Sequence, residues 1–92
     1  MAIVGFKHKG LRELYENGRT RRIGIEFQAK TVKLLDLLDA VADLRDLHGV
    51  SDFHALKGRR KGEYSLHVNG NWCLTFKFKN GEVLDLSFED YH

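Results

Sequence analysis

The closing run Glu89-Asp90-Tyr91-His92 sets a carboxylate, a phenol ring and an imidazole side by side. Those groups could supply a base, a stacking surface and a second proton-transfer group. Earlier, His54 and Lys57 stand three positions apart, an acid–base group followed by a cation. Arg59-Arg60-Lys61 comes directly after, and such a cluster suits phosphates, to which arginine binds through two parallel hydrogen bonds. Cys73 is the only thiol. Each group also fits a plainer role: a solvated chain end, surface side chains, or cations that keep a loop soluble. His48, His54 and His67 show no recognised metal-ligand spacing, so neither a metal nor another cofactor is expected.

The elements that position these residues follow from the apolar periods. Ala2–Phe6 reads as a short first strand, and Lys7–Asn17 as a helix with Leu11, Leu14 and Tyr15 on one face, stopped by Asn17-Gly18. From about Glu26 to Leu47 the helical period is strong, with Phe27, Leu34, Leu38 and Val41 in one stripe joined by Leu37, Leu44 and Leu47. Asp36, Asp39, Asp43 and Asp46 line its other side, a candidate docking surface for a basic partner. After a loop carrying Asp52, His54 and Lys57, the period changes to two. Three strands result, around Tyr64–Val68, Trp72–Phe78 and Leu84–Phe88, separated by Asn69-Gly70 and Asn80-Gly81. Helices first and strands second give an α+β class: two N-terminal helices packed on one face of a small antiparallel sheet that ends in a three-stranded meander.

Register can be decided by parity. A two-residue loop at Asn69-Gly70 opposes Leu66 to Cys73 and splits the apolar side chains between two faces. Three-residue loops instead oppose Val68 to Trp72, Leu66 to Leu74, Tyr64 to Phe76, Phe78 to Leu84, Phe76 to Leu86 and Leu74 to Phe88. One face becomes wholly apolar. The other aligns Glu63 with Lys77, Lys77 with Asp85, His67 with Cys73 and Cys73 with Glu89. The same register opposes Trp72 to Asp90 and brings the chain end back beside Cys73.

Ninety-two residues allow one domain, 1–92, with a modest core. One cysteine excludes an internal disulfide and a four-cysteine zinc site. No apolar run approaches the ~20 residues of a membrane span, and the start lacks a secretory signal, so a cytoplasmic protein without membrane contact is expected. The net charge of +2 hides two basic zones, Lys7–Lys33 and Lys57–Lys61, around an acidic one from Asp36 to Asp52. Such a surface could hold RNA on one side and a cationic partner on another.

Phe6-Lys7-His8-Lys9-Gly10-Leu11, His54-Ala55-Leu56-Lys57-Gly58, Lys61-Gly62, Ser65, Val68-Asn69-Gly70-Asn71-Trp72 and Asp90-Tyr91-His92 together resemble the HigB toxins of the RelE/ParE superfamily. The resemblance runs over essentially the whole chain. It implies a RelE-like fold and the toxin of a type II toxin–antitoxin system, a ribosome-dependent endoribonuclease acting on messenger RNA without a metal. It also implies a cognate HigA-like helix-turn-helix antitoxin, with DNA reached only through that complex. His54, Lys57, Asp90, Tyr91 and His92 match positions implicated in catalysis or RNA positioning. In the implied reaction a ribose 2′-hydroxyl attacks the adjacent phosphate. Asp90 or His92 would be the base, His54 or His92 the acid, Lys57 the charge stabiliser and Tyr91 the stacking ring.

One position departs from the pattern. Where these toxins read Asn-Trp-Arg, this chain reads Asn71-Trp72-Cys73, and a thiol cannot replace a guanidinium. Loss of such a contact to a transition state costs on the order of 2–4 kcal/mol. Lys57 or the Arg59-Arg60-Lys61 cluster could substitute, or the protein could be a weak or inactive homologue that binds ribosome or antitoxin only. A nucleophilic Cys73 polarised by His67 and a gyrase inhibitor of the ParE branch are further alternatives.

Overall fold

The computed structural model describes residues 2–90 and shows the expected α+β arrangement, two helices lying on one face of an antiparallel sheet. Helix α1 (Lys9–Asn17) starts where His8 turns its Nδ1 to accept the Leu11 N–H at 3.3 Å. It stops at Gly18, whose left-handed backbone (φ 79°) lets its N–H return to the Leu14 carbonyl at 2.9 Å. Helix α2 spans Ile25–Ala40, shorter than its apolar period predicts. The chain leaves the helix at Val41, and Asp43 caps a new 3₁₀ turn, Leu44–Leu47, by accepting the Arg45 N–H at 2.8 Å. Asp46 closes that cap on the Asp43 N–H at 3.3 Å. Acids at the negative end of a long helix would be unfavourable; at the start of a fresh turn they satisfy free N–H groups. Asp39 is also engaged, accepting from Tyr15 Oη at 3.0 Å and the Ile3 N–H at 3.3 Å. The expected continuous acidic face is therefore divided among three local tasks.

The sheet runs β1 (His54–Ala55), β2 (Glu63–Asn69), β3 (Trp72–Lys79), β4 (Glu82–Asp90), each pair antiparallel. A second 3₁₀ turn, Gly58–Arg60, joins β1 to β2. The interior register is as parity predicts: Tyr64 faces Phe76, Leu66 faces Leu74, Leu74 faces Phe88, Cys73 faces Glu89 and Trp72 faces Asp90. The turns differ. Asn69 pairs with Trp72 and Lys79 with Glu82, so both loops hold two residues, and the extra residue of each hairpin sits in a bulge. The second bulge lies near Asp85, whose φ is 54°. A type I′-compatible Asn80-Gly81 (φ 53° and 79°) accepts the tight turn, and the bulge then restores the apolar face. Lys77 pairs with Leu84 rather than Asp85, although the Lys77 and Asp85 charges still meet at 3.6 Å.

Ala2–Phe6 does not form the expected strand. It lies parallel to β4 through isolated bridges, Ile3 to Val83 and Phe6 to Leu86, and the β4 bulge falls between them. The predicted loop around His54 instead supplies the fourth strand. Leu11, Leu14, Leu34, Leu35, Leu38, Leu66, Leu74, Phe76, Val83 and Leu86 form the centre of the core. Leu37, assigned to the apolar stripe from its spacing, is 37% exposed, and Leu35 takes the inward place. No helix among the described residues is long and apolar enough to cross a membrane.

Candidate functional site

The sheet face away from the helices carries Glu63, Ser65 and His67 on β2, Cys73, Thr75 and Lys77 on β3, and Ser87 and Glu89 on β4. Its middle is not open: Ser65, Thr75 and Cys73 are buried. Arg60, from the turn after β1, lies across them. Four hydrogen bonds from its guanidinium reach Glu63 (3.3 and 2.8 Å) and Glu89 (2.7 and 2.7 Å), and Thr75 donates its hydroxyl to the same Glu89 carboxylate. The two carboxylates raise the Arg60 pKa further. Arg60 in turn holds Glu89 and Glu63 below the usual carboxylate range, against the opposing effect of burial.

His54 sits in β1 across from Ser65, with an exposed ring. Its Nδ1 lies 2.8 Å from the Asp52 carbonyl, which can only accept, so Nδ1 carries the proton and Nε2 is the reactive nitrogen. The backbone behind it is unusual: Ser51 and Asp52 both have positive φ (42° and 54°), and the Ser51 carbonyl accepts the His67 N–H at 2.7 Å. A strained segment pinned to β2 thus presents the imidazole. Lys57 begins the Gly58–Arg60 turn and, with Ala55, Leu56, Gly58, Lys61, Gly62 and Tyr64, lines a shallow hollow of about 450 Å³. Lys57, Arg59 and Lys61 are exposed, and among the described residues none has a carboxylate within ion-pair distance.

Asp90 is opposite Trp72 at the far end of β4, while His54 is on the other side of the sheet. Three strand spacings, ~14 Å, and about three residues, ~10 Å, separate their backbones. His54 and Lys57 therefore stand apart from the end of β4, with Arg60 and Cys73 between. Alternation places Glu89 on the Cys73 face and Asp90 on the Trp72 face. Tyr91 and His92, the other two candidates of the closing run, lie outside the described residues.

The family model for the RelE-like toxin HigB of type II toxin–antitoxin systems matches residues 4–92. The chain belongs to the HigB-like toxins. It is 37% identical to a protein named endoribonuclease HigB from Proteus vulgaris, over 98% of this chain and 99% of that one. It is 33% identical to toxin HigB-1 of Vibrio cholerae, over 87% of each.

In this HigB-like chain the thiol at position 73 is enclosed. Cys73 is 5% exposed, and burial pushes its pKa up, with a Ser65 hydrogen bond opposing. His67, its cross-strand neighbour, places Nε2 2.9 Å from the Gly70 carbonyl and so donates there. Sequence reading missed two features. Lys7 acts electrostatically on both Glu63 and Glu89, and only its place in the opening motif hinted at it. The Arg60–Glu89 pair spans 29 positions and leaves no local signal.

Proposed function

We propose that this protein is the toxin of a type II toxin–antitoxin pair and cuts messenger RNA on the ribosome, without a metal, by attack of a ribose 2′-hydroxyl on the adjacent phosphate. The observation that carries the reading is His54: the Asp52 carbonyl fixes its tautomer, its ring is exposed, and Lys57 follows without a carboxylate partner among the described residues. An imidazole poised through Nε2 can pass a proton to or from a ribose or leaving oxygen, and nearby lysines stabilise the phosphorane. His54 and Lys57 are assigned to one half-site, Asp90, Tyr91 and His92 to a second, and Arg59 and Lys61 to phosphate contact. The ribosome supplies substrate alignment across the gap between the half-sites. The partner that restrains the toxin in the cytoplasm is a HigA-like antitoxin.

A reconstituted translation reaction tests this reading. Transcripts should be cut only with ribosomes present, and His54→Ala should lower the rate about 10²- to 10⁴-fold. Uncut transcripts at high protein concentration would overturn it. The buried Cys73 favours a second reading, a weak or inactive homologue that binds ribosome or antitoxin, because position 73 offers no cation. Ribosome binding without RNA products, together with cleavage gained by Cys73→Arg, would select that alternative.

A further inference from the structure

The two half-sites stand at opposite sides of the sheet, and the Arg60 side chain reaches from one toward the other. Arg60 belongs to the same five-residue segment as Lys57, Arg59 and Lys61. From there its guanidinium crosses β2 and β3 and grips Glu89 through both carboxylate oxygens at 2.7 Å. Glu89 is the residue before Asp90, and Thr75 braces the same carboxylate from β3. Glu63, at the start of β2, takes the remaining side of the fork at 2.8 and 3.3 Å. The turn itself has few other fastenings: within it the Arg60 and Lys61 N–H groups make long bonds of 3.3 and 3.2 Å, and Gly58 and Gly62 adopt positive φ. The Leu56 N–H bond to the Glu63 carbonyl, 2.9 Å, anchors its start.

We propose that Arg60 is a positioning residue, a strap that fixes the Lys57–Lys61 turn to the end of β4 and so holds the two half-sites at one separation. With four hydrogen bonds committed to carboxylates, Arg60 spans the protein rather than gripping the message. Arg60 engages Glu63 and Glu89, while Lys57, Arg59 and Lys61 are exposed, with no carboxylate within ion-pair distance among the described residues. The catalytic part of this proposal rests on the ribonuclease reading above; the mechanical part does not.

Residue-resolved amide exchange on Arg60→Ala and Glu89→Gln, beside the unaltered protein, tests the strap. Protection at Leu56, Lys61 and residues 88–90 should fall about tenfold or more beyond any fall at the α2 core residues Leu34, Leu35 and Leu38. Glu89→Gln keeps shape and tests the charge alone, should Arg60→Ala fold poorly. Ribosome-dependent cleavage, scaled to folded protein, should lose kcat about 10- to 100-fold with KM little changed. The double variant should lose no more than the worse single one. Uniform loss of protection across the chain, or unchanged kcat per folded molecule in an active toxin, would overturn the proposal. An unaltered protein that cuts nothing, yet shows the local exchange pattern in its variants, would overturn the ribonuclease reading and leave the strap standing.

Discussion

Trp72 lies flat on Phe88, with ring centroids 4.7 Å apart and planes 9° from parallel. Phe27 of α2 touches both rings, at 6.0 and 5.8 Å, so one aromatic cluster ties the start of β3, the end of β4 and the start of α2 together. Trp72→Ala should destabilise the protein by about 2–3 kcal/mol, less than a fully buried tryptophan because the ring is half-buried. Thermal unfolding should show a fall in Tm of roughly 10–20 °C. A shift of a degree or two would mean the rings contribute little.

Glu89 and Glu63 titrate below their ordinary 4.5 because Arg60 binds their charged forms. Their depressed pKa values stabilise the fold above the unfolded value, and that contribution is lost as the pH drops through the lowered native values. Glu89→Gln should therefore cost about 1–2 kcal/mol at neutral pH, discounted for partial exposure, and progressively less as the pH falls below 4.5. Denaturant titrations of both proteins from pH 7 downward measure the difference.

His8 caps α1 and meets Phe88 edge-on, with ring centroids 5.9 Å apart. Its close fit depends on Gly10, since a Cβ there would lie 2.8 Å from both His8 Cε1 and Arg22 Cβ. Burial, and then the Arg22 charge, lower its pKa below 6.5. The neutral ring is the one that caps, so this stability is complete above 6.5 and is lost as acidification proceeds toward the lowered native value. A proton on Nδ1 would also remove the acceptor for Leu11 and place a cation at the helix's positive end. His8→Asn should keep a cap while flattening stability between pH 7 and 5; His8→Ala should lose about 1 kcal/mol at pH 7. Chemical denaturation across that range reads both.

Cys73 should be slow toward thiol reagents in the native state, because it is enclosed and burial disfavours the thiolate. Disulfide exchange with an aromatic disulfide at pH 8 should run about 100-fold or more slower than in denaturant. Equal rates would place the sulfur at the surface.

Much of this was legible because strand parity is unforgiving. Misplacing Leu66 or Leu74 by one residue would expose it, so the pairing of Glu63–His67 with β3 and of Trp72–Thr75 with β4 followed from apolar alternation alone. Beyond the bulge, Phe78 pairs with Val83 and not with the expected Leu84. Parity fixes an odd count of residues between paired strands but not whether the odd one sits in the turn or in a bulge. The helix boundary at Ala40 was hidden for a related reason: Asp43 and Asp46 continue the helical period while acting as caps of a separate turn. His54 and Lys57 were singled out by type and spacing. The role of Arg60 was not, since a partner 29 positions away cannot be inferred from a cationic cluster that looks solvated.

The bridges from Ala2–Phe6 to Val83 and Leu86 have a consequence beyond their modest length. At Val83 and Leu86, backbone groups that would otherwise invite a foreign strand are already satisfied by the chain's own beginning, and the opposite border extends for only His54 and Ala55. Neither flank gives an extended peptide much to zip onto. Capture by another protein is thereby steered toward side-chain contacts on the broad surfaces, and the same economy guards a small, positively charged molecule against stacking into fibrils of itself.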